Sequence, residues 1–491
     1  MSAYRGKKFQ FLSVFLCSWL VACMVPVFAE EDGAVHVSTA SELQSAIKKA
    51  QAGTTIVLED GTYDVKGGFK ITGKNGTSSS PITIQAANQG QAVITGEAFF
   101  SIKKSSYIVL QGMSFTNTGN TAVSLDGSSH VQVSRNTFAL TENGKALKWV
   151  YVYGVDSHHN LIDHNEFGPK HDLGNFITFG GTNTQISQYD TVEYNYFHDT
   201  GPRVENGLEA IRVGTSTVSM SDAFDTIQYN LFENCDGDPE FVSVKSGHNT
   251  VRYNTFRNSQ GVLSARHGHG QSYYGNFFLG DGVKPGTGGI RLYANDHKVY
   301  NNYFEGLTGT GAASTLLIDG GDYDGGTDGD APATSEELAK HWRVYRAQVV
   351  NNTIVNSATG ISVGQSYQLA PVDSVVANNL VMNSKGTLYF EPKPGNTSFA
   401  GNIGYGSKLS NASHSSSEIQ TIDPLLTTAN GLQVLSDTSP AIDASVGDYF
   451  FITGDMDGQT RSGISDVGAD ESSNEAVINR PLTGADVGPK S

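Results

Sequence analysis

Four cations recur at similar places in successive short repeats. Arg212, Lys245, Arg266 and Arg291 follow Asn195, Asn230, Asn254 and Asn276 by 17, 15, 12 and 15 residues. Similar offsets predict one column on one face. Around them stand Asn206, Glu209, Asp238, Glu240 and His267. A positioned lysine can serve as a base, and guanidiniums stabilise anionic charge as it develops. Asn206, Asp238 and Glu240 offer three oxygen donors with two negative charges, a set that suits a hard cation such as Ca²⁺. Asp238 and Glu240 are two apart, so a strand would aim both the same way. Simple pairing of the two acids with Lys245 and Arg212 accounts for the spacing equally well. If the ligand is a polyuronide, these groups together suit removal of its C5 proton, α to the carboxylate, with expulsion of the oxygen at C4. A cation on the carboxylate stabilises the enolate-like charge, and Arg266, His267 or a water covers the leaving oxygen.

The elements that carry these residues repeat. An apolar residue, two residues, Asn, one residue, then an aromatic or aliphatic residue recurs from Val133/Asn136/Phe138 to Val376/Asn379/Val381, and fades at Phe399/Asn402. The steps between asparagines are 29, 30, 35, 24, 22, 26, 50, 27 and 23 residues. A phrase at such intervals marks a solenoid. Alternation around each Asn fits short strands, and parallel stacking would place the amides one above another at about 4.8 Å, where each can donate to the next. The fold predicted is all-β, a single right-handed parallel β-helix with an N-terminal capping helix. That helix is expected from Ser41, with capping-box spacing to Gln44, after a strand at Val35-His36-Val37. The 50-residue step predicts an excursion, with Asp319 to Asp330 in a surface loop.

The chain has 491 residues, 38% apolar and 16% charged, too apolar for a disordered acidic tail. Its 56 glycines anticipate many turns. Arg5, Lys7 and Lys8 precede an apolar run to Val25, and Val27-Phe28-Ala29 leads into Glu30. Residues 1–29 read as a signal peptide cleaved after Ala29, giving a secreted or periplasmic protein; lipidation at Cys23 is the alternative. Cleavage removes three basic residues and leaves a net charge of −20. It also removes Cys17 and Cys23, so Cys235 remains alone and no disulfide framework exists. No later stretch could span a membrane. The domains expected are the signal, a β-helix at 30–475 and a tail at 476–491. An acidic chain that gathers cations on one face points to an anionic polymer, with no nucleic acid, and a monomer is expected.

The runs Asn-Gly-x-Glu-Ala-Ile-Arg at 206–212, Ser-x-Lys-Ser at 243–246 and Arg-His-Gly at 266–268 resemble polysaccharide lyase family six, the alginate lyase and chondroitinase B family. The resemblance implies Lys245 as base and Arg266 as acid. It implies Ca²⁺ on Asn206, Asp238 and Glu240, and Glu209, Arg212, His267 and Arg291 along the subsites. Family members commonly carry Glu where this chain has Asp238. Alginate is the substrate expected, and dermatan sulfate is the alternative. Two other readings are a pectinase-like hydrolase, using Asp236 and Asp238 with Gly268-His269-Gly270, and a non-catalytic carbohydrate-binding solenoid.

Overall fold

A computed structural model describes residues 33–329 and 334–491. The expected signal at 1–29 lies outside them. The residue before each repeat asparagine adopts a left-handed backbone, with φ of 51–62° at Arg135, His164, Tyr194, Tyr229, Tyr253, Gly275, Asn301, Asn351, Asn378 and Gly401. This turns the chain through a corner and costs roughly 1–2 kcal/mol wherever the residue is not glycine. The asparagine that follows offsets the cost. From Asn136 to Asn379, each Nδ2 donates to the Oδ1 of the next asparagine in the series at 2.9–3.1 Å. The ladder therefore reaches Asn402 unbroken, where the sequence phrase fades.

The corners separate three parallel sheets of 14, 12 and 14 strands among the described residues, each strand pairing with its equivalent one rung away. The fold is a parallel β-helix. Inside it, the phrase aromatics Phe138, Phe167, Phe197, Phe232, Phe256, Phe278 and Phe304 stack at 4.6–5.0 Å, close to the strand spacing. A second polar ladder, not anticipated, runs through Asn160, Asp190, Asp225, Asn249, Gln271 and His297. Each member's backbone N–H donates to the next member's side chain. Burial pushes the Asp190 carboxyl up to about 6.

The N-terminal helix, α1 (Ala40–Lys49), starts before the expected Ser41. Its capping box is Thr39 with Glu42, not Ser41 with Gln44, because helical geometry already begins at Ala40. Leu43, Ala46 and Ile47 bury its apolar face against the first coils. The excursion also departs from expectation. It supplies a rung strand, Leu316–Ile318, and a short helix, α2 (Ser335–Leu338). Asp319 is fully buried, accepting from Tyr293 Oη at 2.7 Å, so this part of the segment is no surface loop. The last strand paired with a rung is Ile419–Thr421. The C-terminal segment then lies back along the solenoid, where Leu482 N donates to Thr255 and Gly488 N to Tyr194.

Candidate active site

Strand alternation places the four cations. In the 12-stranded sheet, Ile211, Val213, Val242, Val244, Leu263, Ala265, Ile290 and Leu292 point into the core. Arg212, Lys245, Arg266 and Arg291 therefore point outward. They form two neighbouring columns, not the one expected. Arg212 is in register with Ser243, Ser264 and Arg291, whereas Lys245 lies two residues further along its strand. A bulge after Val244 sets Lys245 opposite His267 rather than Arg266.

Asn206, Asp238, Glu240, Lys245, Arg266 and His267 line one cavity of about 390 Å³. Thr215 and Ser216 close one side, and Ala339, just after α2, closes another. Larger hollows of about 710 and 680 Å³ lie elsewhere, at His158/His159 and beside the C-terminal segment, and no lysine lines either. Arg266 is held by the excursion, its Nη1 and Nη2 donating to the Lys340 and Ala339 carbonyls at 3.1 Å. These carbonyls were missed in the sequence; the 50-residue step was the signal.

The acids divide the work. Glu240 sits in the loop before its strand, ion-paired with Arg291, accepting from Ser243 Oγ at 2.5 Å and 3.9 Å from Arg266 Nε. Burial alone would raise its carboxyl, but Arg291, Lys245 and Arg266 hold it down at about 2. Asp238, in the same loop, behaves oppositely, pushed up to about 6 by burial and by the nearby Glu209. Its oxygens accept from the backbone N–H groups of Gly207, Leu208 and Glu240. Glu209 is buried, accepts from Asn175 at 2.6 Å and lies 4.0 Å from Lys245 Nζ. Glu209 and Arg291 thus brace Lys245 and Glu240 from beneath, while Arg212 faces outward beside them. His267 is held well below its usual range by burial, Arg266 and Lys245, so its imidazole is neutral.

Among the described residues, no group of three or more His, Cys, Asp or Glu side chains could hold a metal ion. The Asn206 carbonyl would be the necessary third ligand. With it, the donor set fits a hard cation: Asn206 lines the cavity, and Asp238 is a buried carboxylate whose charge is disfavoured by Glu209 and Glu240. The hydrolase constellation does not assemble. Asp236 turns away to Lys284 at 2.6 Å, and His269 is tied to Gly329 O and Asn295 N. Of the Asp-rich stretch, Asp322 and Asp324 pair with His341 and Arg343.

Comparison with known proteins follows from this geometry. The sequence has no match among curated proteins. Among solved structures, the alginate lyase AlyGC superposes with a TM-score of 0.72 at 26% identity, covering 82% of this chain and 55% of that one. The chain thus spans little more than half of AlyGC. A mannuronic acid specific family 6 lyase from human gut microbiota gives 0.65 at 25% identity, covering 77% and 87%. The family 6 lyase Pedsa3628 from Pseudopedobacter saltans shares the fold, at 0.64 and 23% identity over 94% and 100% of the two chains. The sequence profile of chondroitinase B matches residues 37–413, most of the solenoid, and the chain belongs to that family.

Proposed function

We propose that this protein is a secreted polysaccharide lyase that cleaves a uronate polymer, alginate, by β-elimination. The observation that carries the reading is one cavity holding Lys245 and Arg266 on adjacent outward strands beside Asn206, Asp238 and Glu240. Lys245, as its neutral amine, takes the C5 proton; the electron pair of that C–H bond forms the C4–C5 double bond, and the C4–O bond breaks with its electron pair leaving on the oxygen. The Arg266 guanidinium, aimed by the two carbonyls that hold it, stabilises the departing oxygen. A water there supplies its proton, since His267 is neutral, and the hydroxide left behind takes the proton from Lys245. Glu240 keeps Arg266 and Arg291 in place, and Glu209 keeps Lys245 facing the cavity. The family relatives named as alginate lyases support alginate; the chondroitinase B description makes dermatan sulfate the second reading.

Calcium belongs to the same proposal. Asn206, Asp238 and Glu240 would hold the ion, which would neutralise the substrate carboxylate. Titration calorimetry on chelated protein should show calcium binding that Asp238→Asn removes, and heatless titration would dismiss the ion. For export, among the described residues no helix is long and apolar enough to cross a membrane; cleavage after Ala29 is proposed and is read by N-terminal sequencing of the mature protein.

To test the activity, the protein is incubated with alginate, dermatan sulfate and polygalacturonate while ultraviolet absorbance of unsaturated uronate and reducing ends are followed together. Both signals on alginate are expected. Reducing ends without absorbance would mean hydrolysis, and neither signal on any polymer would mean a binding protein.

A further inference from the structure

The sheet that carries Lys245 continues toward the N-terminus for six further strands. At its far end lies a second cationic hollow, of about 420 Å³, lined by Lys48, Lys66, Lys70 and Lys74 with Gln44 and Thr72, and by no acid. Lys74 is committed, its Nζ donating to the Lys48 and Ala50 carbonyls at the end of α1. Lys48, Lys66 and Lys70 are exposed, and no described acid pairs with any of them. Acids on the neighbouring elements have partners of their own: Asp126 pairs with Lys103 at 2.7 Å, Glu42 caps the other end of α1, and Asp64 accepts from Glu97 N. Three uncompensated lysines converging on one hollow are unexpected in a chain of net charge −17.

Position gives the hollow a direction. The outward column that begins at Lys70 passes Tyr151 and reaches Arg212 and Ser243 by unbroken parallel register. Six strand steps separate Lys70 from the strand of Lys245, or about 29 Å at the usual strand spacing. Between them, Tyr151 and Tyr153 stack at 4.4 Å, and Lys148 Nζ lies 3.8 Å from the Tyr151 ring centroid. The face is thus cationic at both ends, with an aromatic and cationic stretch in the middle.

We infer that Lys48, Lys66 and Lys70 form a remote binding surface for an anionic polysaccharide, which holds a long chain while another part of it occupies the Lys245 cavity. The inference rests on the lyase reading for the identity of the polymer. Its ligand chemistry is a run of carboxylates along one extended strand, and its effect is confined to polymers long enough to span both places.

The test is the triple variant K48A/K66A/K70A in the full chain, with Lys74 left intact because it caps α1. On polymeric alginate, KM should rise about tenfold with kcat unchanged, taking each exposed cation as contributing a typical surface ion-pair increment. On a trisaccharide, both constants should stay as in the wild type. An unchanged KM on the polymer, or an equal rise on polymer and trisaccharide, would overturn the proposal. Retention on immobilised alginate reads the surface without turnover. Weaker retention of the triple variant in a K245A background supports it even if no polymer is cleaved, whereas equal retention overturns it. Wild-type binding to anionic phospholipid vesicles or single-stranded RNA as tight as to alginate would assign the lysines to a different partner and also overturn it.

Discussion

A corner and a face of the same coils solve opposite problems. At the asparagine corner each rung contributes an identical neutral amide, so one bond can repeat along the axis and every polar group finds the same partner. On the proposed catalytic face the rungs contribute charges, which cannot repeat because like charges would stack about 4.8 Å apart. Opposite signs interleave there instead: Glu209 under Lys245, and Glu240 between Arg291 and Arg266. Asp238 alone is left beside another acid. Repetition builds a rigid edge, and breaking it on the neighbouring face leaves charge available for chemistry.

Removing the proposed base should have the largest effect. Lys245→Ala should lower kcat about 10³-fold or more while Tm and retention on alginate stay near wild type. A variant that loses fold together with activity would make Lys245 structural. Next comes Glu240→Gln, which leaves Arg291 buried without its counter-charge and should cost about 3 kcal/mol by denaturant unfolding. Because the Glu240 carboxyl is held at about 2, its stabilising contribution is present above the ordinary carboxylate range and is lost as pH falls toward 2. The wild type should therefore lose its advantage over Glu240→Gln in strong acid, and a difference independent of pH would refute the pairing. At the asparagine corner, Asn254→Ala removes one link and strands its neighbours, a loss of about 2 kcal/mol with kcat per folded molecule unchanged. A fall in kcat with no change in stability would reverse the assignment of corner and face.

The smallest effect concerns Asp238. Its carboxyl is raised to about 6, so protons compete with a bound cation in that region. Calcium affinity should weaken as pH falls through about 6, and affinity that is flat from pH 5 to 8 would place the ion elsewhere. The same shift makes Asp238 stabilising when protonated. That contribution is complete below the ordinary aspartate value and lost as pH rises through about 6.

Much of this contrast was legible in the sequence because one side of it repeats. The asparagine phrase named its own ladder and, with Phe138 to Phe304, the core stack. The second ladder went unread although it stands five residues before the first: Asn160 before Asn165, Asp190 before Asn195, Asp225 before Asn230, Asn249 before Asn254, Gln271 before Asn276 and His297 before Asn302. Four different side-chain types fill that position because each needs only one acceptor atom, so no single letter marks it. The site residues were legible in order and residue type. Their division into two columns was not, because a bulge at Lys245 leaves no trace in spacing. Nor was the Glu240–Arg291 pair, which joins residues 51 positions apart. Asp319 was misread for a related reason: an Asp-rich stretch looks solvated until Tyr293, one rung away, buries it.

The central claim is that Lys245 starts an elimination. Counting unsaturated uronate against new reducing ends, in wild type and Lys245→Ala side by side on alginate, tests it most directly. The account predicts one double bond per new end in the wild type and neither product above background in the variant. New ends that lack the double bond, or a variant that still forms it at the wild-type rate, would contradict it.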